Sequence, residues 1–324
     1  MANSSMPKPK PATQDSSSPD DSGQNPVSWQ GSGMADEQTK WISTGSSAPG
    51  RGDDYDPESI PVRTAATVLI LDERPDLHVL MLKRNSRSVF VGDMWVFPGG
   101  GVDADDATPE ADALVAGRTD PACSMELALE SGGIAYWVAV LRETFEEAGL
   151  LIAHDLSTGQ LLDFRDPQVA ERFEAHRDVV NNTESAFTGI VASEDLALDG
   201  AGVHYVAQWV TPLGSPRRYD TRFFVTGMPE GQVPLHDDDE AVNHKWVRAA
   251  DALVANDAGE MIMMTPTLSM LQRLATFSSV DEAIASAASA TSGDDERIRI
   301  RYNVEGHQRI AYPGDNDYEQ SNPT

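Results

Sequence analysis

Short apolar runs separated by polar turns open the part of the chain that we expect to fold. Residues 65–71 and 77–83 are rich in aliphatic and β-branched side chains and flank the polar residues 72–76, which predicts a β-hairpin. Residues 94–97 predict a third short strand, ended by Pro98 and three glycines. Further strands are predicted at 203–211 and 218–226, with 212–216 as their turn, and at 241–247.

Helical periodicity is clearest at residues 134–151. Val138, Leu141, Phe145 and Ala148 recur at the spacing of one helix face and predict a buried stripe. Gly149 is well placed to end this helix, because glycine adopts the left-handed conformation found just past many helix ends. Further helices are predicted at 166–180, 249–256, 265–277 and 280–288.

The polar segments divide the chain into three parts. Residues 1–58 are rich in serine, proline and glycine and poor in aliphatic side chains, so we expect a disordered N-terminal tail. Residues 59–290 are expected to form one domain, in which the acidic, alanine- and glycine-rich residues 104–132 are an insertion. Residues 291–324 are expected to form an extension, in which 297–302 could add an edge strand before a loose end.

Charge is the strongest compositional signal. The 324 residues include 24 basic and 52 acidic side chains, a net charge of −28. Such a surface repels nucleic acid and anionic lipid, so we expect neither as a partner. The acidity favours solubility as its explanation, with a cluster of carboxylates that binds divalent cations as the alternative.

Cysteine content and hydropathy exclude further classes. The single cysteine, Cys123, excludes an intrachain disulfide framework and any multi-cysteine metal site. No apolar run approaches the ~20 residues that span a bilayer, and no signal peptide is visible. We therefore expect a cytoplasmic protein that does not bind a membrane.

The candidate chemistry is concentrated in the segment Arg142-Glu-Thr-Phe-Glu-Glu-Ala-Gly-Leu150. On a helix, Glu143, Glu146 and Glu147 project from one face, where like charges repel each other. A divalent cation resolves that repulsion, and Mg²⁺ and Mn²⁺ favour oxygen ligands. Arg142 lies one turn before Glu146 and is able to fix its rotamer by a charge-assisted hydrogen bond. The alternative is a solvated acidic helix face.

A glycine loop lies upstream of this helix, in Phe97-Pro-Gly-Gly-Gly-Val-Asp-Ala-Asp-Asp106. Glycines allow the backbone to approach a ligand closely and leave carbonyls free to coordinate a metal. The loop and the helix together are far more specific than either is alone.

Together the two segments resemble the Nudix box, G-x5-E-x7-R-E-U-x-E-E-x-G-U, in which U is apolar. The second half departs only at Thr144, which stands at the first U position. In the first half, Asp106 stands where the family has glutamate, and the gap from Asp106 to Arg142 is much longer. An interrupted box of this kind is similar to that of the peroxisomal acyl-coenzyme A diphosphatase group and its bacterial relatives. Residues 79–88, 209–212 and 217–224 extend the resemblance, which covers about 60–280.

The resemblance implies an α/β fold, the Nudix α/β/α sandwich with a mixed sheet, enlarged by insertions near 104–132 and 153–200. It implies Mg²⁺ or Mn²⁺ bound by Glu143, Glu146 and Glu147, with backbone help near Gly100. Glu143 orients or deprotonates the attacking water, and Arg142 orients Glu146. Glu240 is the candidate for a further ligand from a later loop, with a solvated acidic loop as its alternative. The candidates for holding substrate phosphates are Arg217, Arg218, Arg222 and Arg84.

The implied reaction is hydrolysis of the diphosphate linkage of a nucleoside diphosphate derivative, with (acyl-)coenzyme A as the first candidate. ADP-ribose or a dinucleotide is the alternative substrate, and a non-catalytic nucleotide sensor is the alternative function. The partner is then a nucleotide-containing small molecule, and a homodimer is possible because Nudix proteins are often dimers.

Overall fold

A computed structural model of the chain describes residues 59–85, 93–183, 185–211, 217–235, 241–289 and three short strands nearer the C-terminus. The predicted disordered tail, the turn at 212–216 and Glu240 lie outside the described residues. Within the described part of the chain, none of the helices combines the length and the apolar character needed to cross a bilayer.

A mixed seven-stranded sheet forms the centre of the domain. Its strands are β1 (Val62–Glu73), β2 (Leu77–Arg84), β3 (Trp95–Val96), β4 (Gly99–Gly101), β8 (His204–Val210), β9 (Arg218–Gly227) and β10 (Ala241–Val247). The predicted hairpin is present, with Leu71 opposite Val79, and β1 also pairs in parallel with β9. The strand order is β10-β2-β1-β9-β8, with β3 paired to β2 and β4 paired to β1.

Helices cover both faces of this sheet. They are α1 (Pro109–Ala113), α2 (Asp120–Glu126), α3 (Ile134–Ala148), α4 (Pro167–Asn182), α5 (Ala186–Ser193), α6 (Ala249–Asp257), α7 (Thr265–Leu274) and α8 (Val280–Ala288). Alternate residues of β1 face opposite sides, as the pleat requires. Val68 and Ile70 pack in the core that contains α3, whereas Leu69 and Leu71 pack in the core that contains α7 and α8. The predicted α/β/α sandwich is confirmed.

The two regions predicted as insertions join in a small second sheet. Its strands are β5 (Val115–Ala116), β7 (Leu196–Asp199) and β6 (Ala153–Asp155), with β7 in the middle. Arg118 strengthens the connection, because its guanidinium donates hydrogen bonds to the carbonyls of Gly200 and Val203 at 3.0 and 2.9 Å. Residues about 80 positions apart along the chain therefore form one structural unit beside α3.

A short strand lies within residues 297–302, for which the sequence predicts an edge strand. Arg299–Tyr302 forms β11, which pairs with β12 (Gln308–Ala311) and β13 (Asn322–Pro323) in a separate three-stranded sheet. Ile300 lies opposite Ile310 in this register. A partner so close along the chain has a lower loop-closure entropy cost than a strand of the distant central sheet.

Candidate active site on helix α3

The helix that carries the candidate residues is fixed by its buried face and by its C-terminal cap. Val138, Leu141, Phe145 and Ala148 are all buried, as the periodicity predicts. Gly149 ends the helix with φ at 67°, a left-handed conformation that favours glycine. At the departure from the Nudix pattern, the buried Thr144 hydroxyl donates a hydrogen bond to the Val140 carbonyl at 2.7 Å. That bond satisfies the hydroxyl where the family has an apolar side chain.

Arg142 lies at the centre of the candidate site. Its Nη1 donates to Glu143 Oε1 at 3.0 Å and to Glu146 Oε2 at 2.9 Å, so one nitrogen holds both carboxylates. The predicted bond to Glu146 is therefore present. The Arg142 side chain is only 3% exposed. Burial disfavours its charged form, but hydrogen bonding to Asp106 and the nearby charges of Glu143, Asp106 and Glu146 outweigh it and raise the pKa of Arg142.

Asp106 holds Arg142 from the other side. Arg142 Nε and Nη2 donate to the two oxygens of Asp106, both at 2.9 Å, in a bidentate pair in which Asp106 is 2% exposed. Arg142 Nη2 also donates to the carbonyl of Gly101 at 2.9 Å and lies 3.1 Å from Asp103 Oδ2. The aspartate at the position of the first box glutamate is thus an anchor for Arg142.

The glycine strand β4 lies directly against the carboxylates. The Gly99 N–H donates to Glu147 Oε2 at 2.8 Å. A Cβ atom placed on Gly100 would lie 2.6 Å from Glu143 Oε2, a distance that real Cβ contacts essentially never show. Glycine is therefore required at residue 100 for Glu143 to occupy its position.

This close contact argues against the alternative of a solvated acidic helix face. Glu147 is buried, and the side chains of Glu143 and Glu146 are 12% and 14% exposed. Helix α3 packs against β4, so the acidic face is covered by backbone rather than by water. Both the carboxylates and the negative end of the helix dipole make the potential here negative.

The donors match a hard divalent cation in kind, since carboxylate and carbonyl oxygens are what Mg²⁺ and Mn²⁺ prefer. Within the described ranges, no three His, Cys, Asp or Glu side chains are grouped closely enough to hold a metal ion by themselves. A carboxylate has about four lone-pair sites, so one N–H contact does not exhaust its capacity as an acceptor.

The arginines predicted to hold substrate lie in different environments. Arg217 is exposed, beside the undescribed residues 212–216. Arg218 and Arg222 are buried and donate to the carbonyls of Thr211 and Leu127 at 3.0 and 2.9 Å. Arg84 ends β2, and its buried Nε has no hydrogen-bond partner among the described residues. Substrate binding by these four residues stays a prediction.

Sequence reasoning missed two residues that fix the ends of α3. Asp120 accepts hydrogen bonds from the N–H groups of Gly132 and Ile134, both at 3.1 Å, and so caps the start of the helix. Arg177, on α4, donates to the carbonyl of Glu146 at 2.9 Å. Both are separated from their partners along the chain, and no local spacing signals such contacts.

A family model and two relatives of known name are similar to this chain. A family model described as the NUDT19 Nudix domain matches residues 128–274. The acyl-coenzyme A diphosphatase NUDT19 of Xenopus laevis is 25% identical over 236 residues, which cover 64% of this chain and 62% of that protein. The Gallus gallus protein of the same name is 28% identical over 270 residues, covering 68% and 70%. The chain thus spans less than two thirds of the length of the Xenopus relative.

One solved structure supports the fold. The crystal structure of a Nudix hydrolase from Alicyclobacillus acidocaldarius superposes with a TM-score of 0.56 at 24% identity, covering 72% of this chain and 99% of that one. The sandwich fold, the Arg142 cluster on α3 and the matching family model together indicate a Nudix hydrolase. Within that class, it resembles the NUDT19 acyl-coenzyme A diphosphatase branch, as the interrupted box predicts.

Proposed function

We propose that the protein hydrolyses the diphosphate linkage of acyl-coenzyme A with the help of Mg²⁺ or Mn²⁺. The observation that carries the proposal is that Arg142 Nη1 contacts both Glu143 and Glu146 while Asp106 fixes its other two nitrogens. The site therefore keeps the charged residues of the second half of a Nudix box, with Asp106 in place of the first glutamate. The names of the relatives support the choice of substrate.

In this proposal the metal is held by Glu143, Glu146 and Glu147, with the backbone near Gly100 and with Glu240 as a further ligand. When bound, it neutralises the diphosphate charge and polarises a phosphoryl oxygen. Mg²⁺ usually keeps several waters and is bound through one or two carboxylates plus substrate phosphates. A group of three preassembled protein ligands is therefore not required before substrate arrives.

The chain's own residues would orient the water and take up its proton. Glu143 accepts the proton while the water oxygen forms a new bond to phosphorus and the bond from that phosphorus to the bridging oxygen breaks. Arg142 and the adjacent Gly100 limit the positions that the Glu143 carboxylate adopts. The products from acyl-coenzyme A are 3′,5′-ADP and acyl-phosphopantetheine.

The remaining features of the proposal concern substrate binding and location. Arg217 is the first candidate for a phosphate contact because it is exposed and arginine suits bidentate phosphate binding. Arg218, Arg222 and Arg84 are secondary candidates.

We propose a cytoplasmic location, consistent with a single cysteine, Cys123, that is buried and unpaired. A homodimer stays a prediction.

A hydrolysis screen with Mg²⁺ and with Mn²⁺ tests the proposal. The panel contains acetyl- and longer acyl-coenzyme A, free coenzyme A, ADP-ribose, NADH, diadenosine polyphosphates and nucleoside triphosphates, with products identified by mass. Release of 3′,5′-ADP and acyl-phosphopantetheine supports both the chemistry and the substrate. Cleavage of ADP-ribose or a dinucleotide alone keeps the chemistry and rejects the substrate. If nothing is cleaved but a nucleotide raises the melting temperature, the protein is a sensor.

A further inference from the structure

Arg177 connects the end of the candidate catalytic helix to a distant segment. It lies on α4, in the second insertion, and is only 7% exposed. Its Nε donates to the Glu146 carbonyl at 2.9 Å, and its Nη2 donates to the Leu235 carbonyl at 3.0 Å. The Leu235 N–H in turn donates to the Ala148 carbonyl at 2.8 Å. These bonds link the last turn of α3, α4 and residue 235.

The last turn of α3 needs such partners for two reasons. The final carbonyls of a helix have no intrahelical donor, and Arg177 and the Leu235 N–H supply donors for Glu146 and Ala148. The turn also carries Glu146 and Glu147, whose charges are unfavourable at the negative end of the helix dipole, and it contains no basic residue. Arg177 brings a positive charge to that end from another helix.

Gly149 leaves room for this arrangement. A Cβ atom added at Gly149 would lie 3.3 Å from Arg177 Nη1, tighter than most real contacts. The chain three residues before Leu235 is held as well, because the buried Gln232 side chain accepts from the Leu151 N–H at 2.9 Å and donates to the Leu151 and Leu162 carbonyls. The chain after α3 and the chain before residue 235 are therefore held in one position.

We infer that Arg177 is a positioning residue for the metal-binding carboxylates Glu146 and Glu147. This inference rests on the proposed function. Arg177 donates to the main-chain carbonyl of Glu146, and it thereby fixes the backbone from which both side chains project. Groups that orient metal ligands in this way typically affect metal affinity or activity by about 10–100-fold when they are replaced.

Binding of Mn²⁺ alone, measured by calorimetry well below the melting temperature, tests the inference on the full chain. We expect Arg177→Met to raise the Kd for Mn²⁺ by about 10–100-fold. Arg177→Lys should fall between Arg177→Met and the wild type, since one ammonium does not reproduce the arginine's fork of donors. Arg172→Met is the matched control, because Arg172 lies on the same helix, is 49% exposed and pairs with Glu194. It should bind Mn²⁺ as the wild type does.

The outcomes separate the inference from the proposed function. If Arg177→Met melts at a lower temperature but binds Mn²⁺ with unchanged Kd, Arg177 is only a structural brace and the inference is overturned. If Arg177→Met does not fold, an unchanged Kd in folded Arg177→Lys overturns it equally. A wild type that binds no Mn²⁺ and cleaves nothing in the screen rejects the proposed function itself. Weaker binding confined to the Arg177 variants supports the inference.

Discussion

Arg142 and Arg177 both bury a guanidinium group against α3, but their partners differ in kind. Arg142 bonds to the side-chain oxygens of Asp106, Glu143 and Glu146. Arg177 bonds to the main-chain carbonyls of Glu146 and Leu235. The first arrangement compensates the charges of the carboxylates and fixes their rotamers, whereas the second fixes the backbone at the end of α3. We therefore expect replacement of Arg142 and replacement of Arg177 to differ in their effects on hydrolysis and on the free energy of unfolding.

The largest effect should come from Arg142→Met. It leaves the buried Asp106 carboxylate without its two strongest donors, and breaking a buried ion pair from one side costs about 3–5 kcal/mol. Urea unfolding should show this loss together with loss of hydrolysis. Arg177→Met leaves the neutral carbonyls of Glu146 and Leu235 without this donor and should lower the free energy of unfolding by less, about 1–3 kcal/mol.

A double variant checks the cause of the Arg142 effect. Asp106→Ala combined with Arg142→Met removes the orphaned charge, so the double variant should be less destabilised than the sum of the two single variants. Strict additivity would show that the pair is not coupled, and the contrast between the two arginines would then disappear.

Glu143→Gln should lower activity without lowering stability, although Glu143 is a hydrogen-bond partner of Arg142. Glutamine is nearly isosteric but does not accept a proton, so kcat should fall about 10²–10⁴-fold. Glu146→Gln should also remove most hydrolysis by replacing a metal ligand. Neither change disturbs the bond pair between Arg142 and Asp106, so the melting temperature should change little. Near-normal activity of Glu146→Gln with Mg²⁺ would refute the site assignment.

Gly149→Ala tests how much the close contact between residue 149 and Arg177 matters for stability. An alanine at φ 67° costs about 1–2 kcal/mol of strain, and its Cβ also crowds Arg177. Gly159→Ala is a matched control, because Gly159 has φ 70° but open space around it. Urea unfolding should show a larger loss for Gly149→Ala. Equal losses would mean that the contact with Arg177 adds nothing beyond strain.

The smallest effect concerns the start of α3. Burial acts to raise the pKa of Asp120, but hydrogen bonds from Ile134, Gly132 and Ser124 prevail and lower it. A carboxylate with a lowered pKa stabilises the fold fully above about pH 4, and that contribution is lost as the pH falls through its folded pKa. Asp120→Ala should therefore cost about 1 kcal/mol at pH 7 and progressively less in acid.

Unfolding curves across pH test this, with Asp105→Ala as the control because Asp105 is exposed. A cost for Asp120→Ala that did not shrink in acid would mean that the carboxylate charge is not what caps the helix.

Much of the fold follows from local pattern, whereas the bracing of the site does not. The hairpin, α3 and the strand around Phe224 carry clear periodicity over many residues, and each element was predicted within a few residues of its bounds. Strands β5 and β6 have only two and three residues, too few for alternation to be visible, so the sheet that joins the insertions was missed.

The contacts of the candidate site likewise fall into those that local spacing predicts and those that join residues far apart along the chain. The Arg142 bond to Glu146 follows from helical spacing alone and was predicted. Arg177 meets Glu146 and Leu235 across 31 and 58 residues, and its own helix is mostly polar, so nothing in the surrounding sequence marks it as buried. Asp106 was recognised as a substituted box residue, but its role as a bidentate partner required coordinates.

The parallel pairing of β1 with β9 has a consequence for biosynthesis. Val62 lies opposite Arg218 and Leu71 opposite Gly227, so the central strand lacks this neighbour until residue 227 has been made. The ribosome adds the 77 residues between 150 and 227 in about 4–15 s at typical rates. During that interval α3 has already been synthesised, but the sheet against which its apolar face packs is incomplete. The apolar surfaces of β1 and α3 therefore stay incompletely covered until β9 has been made.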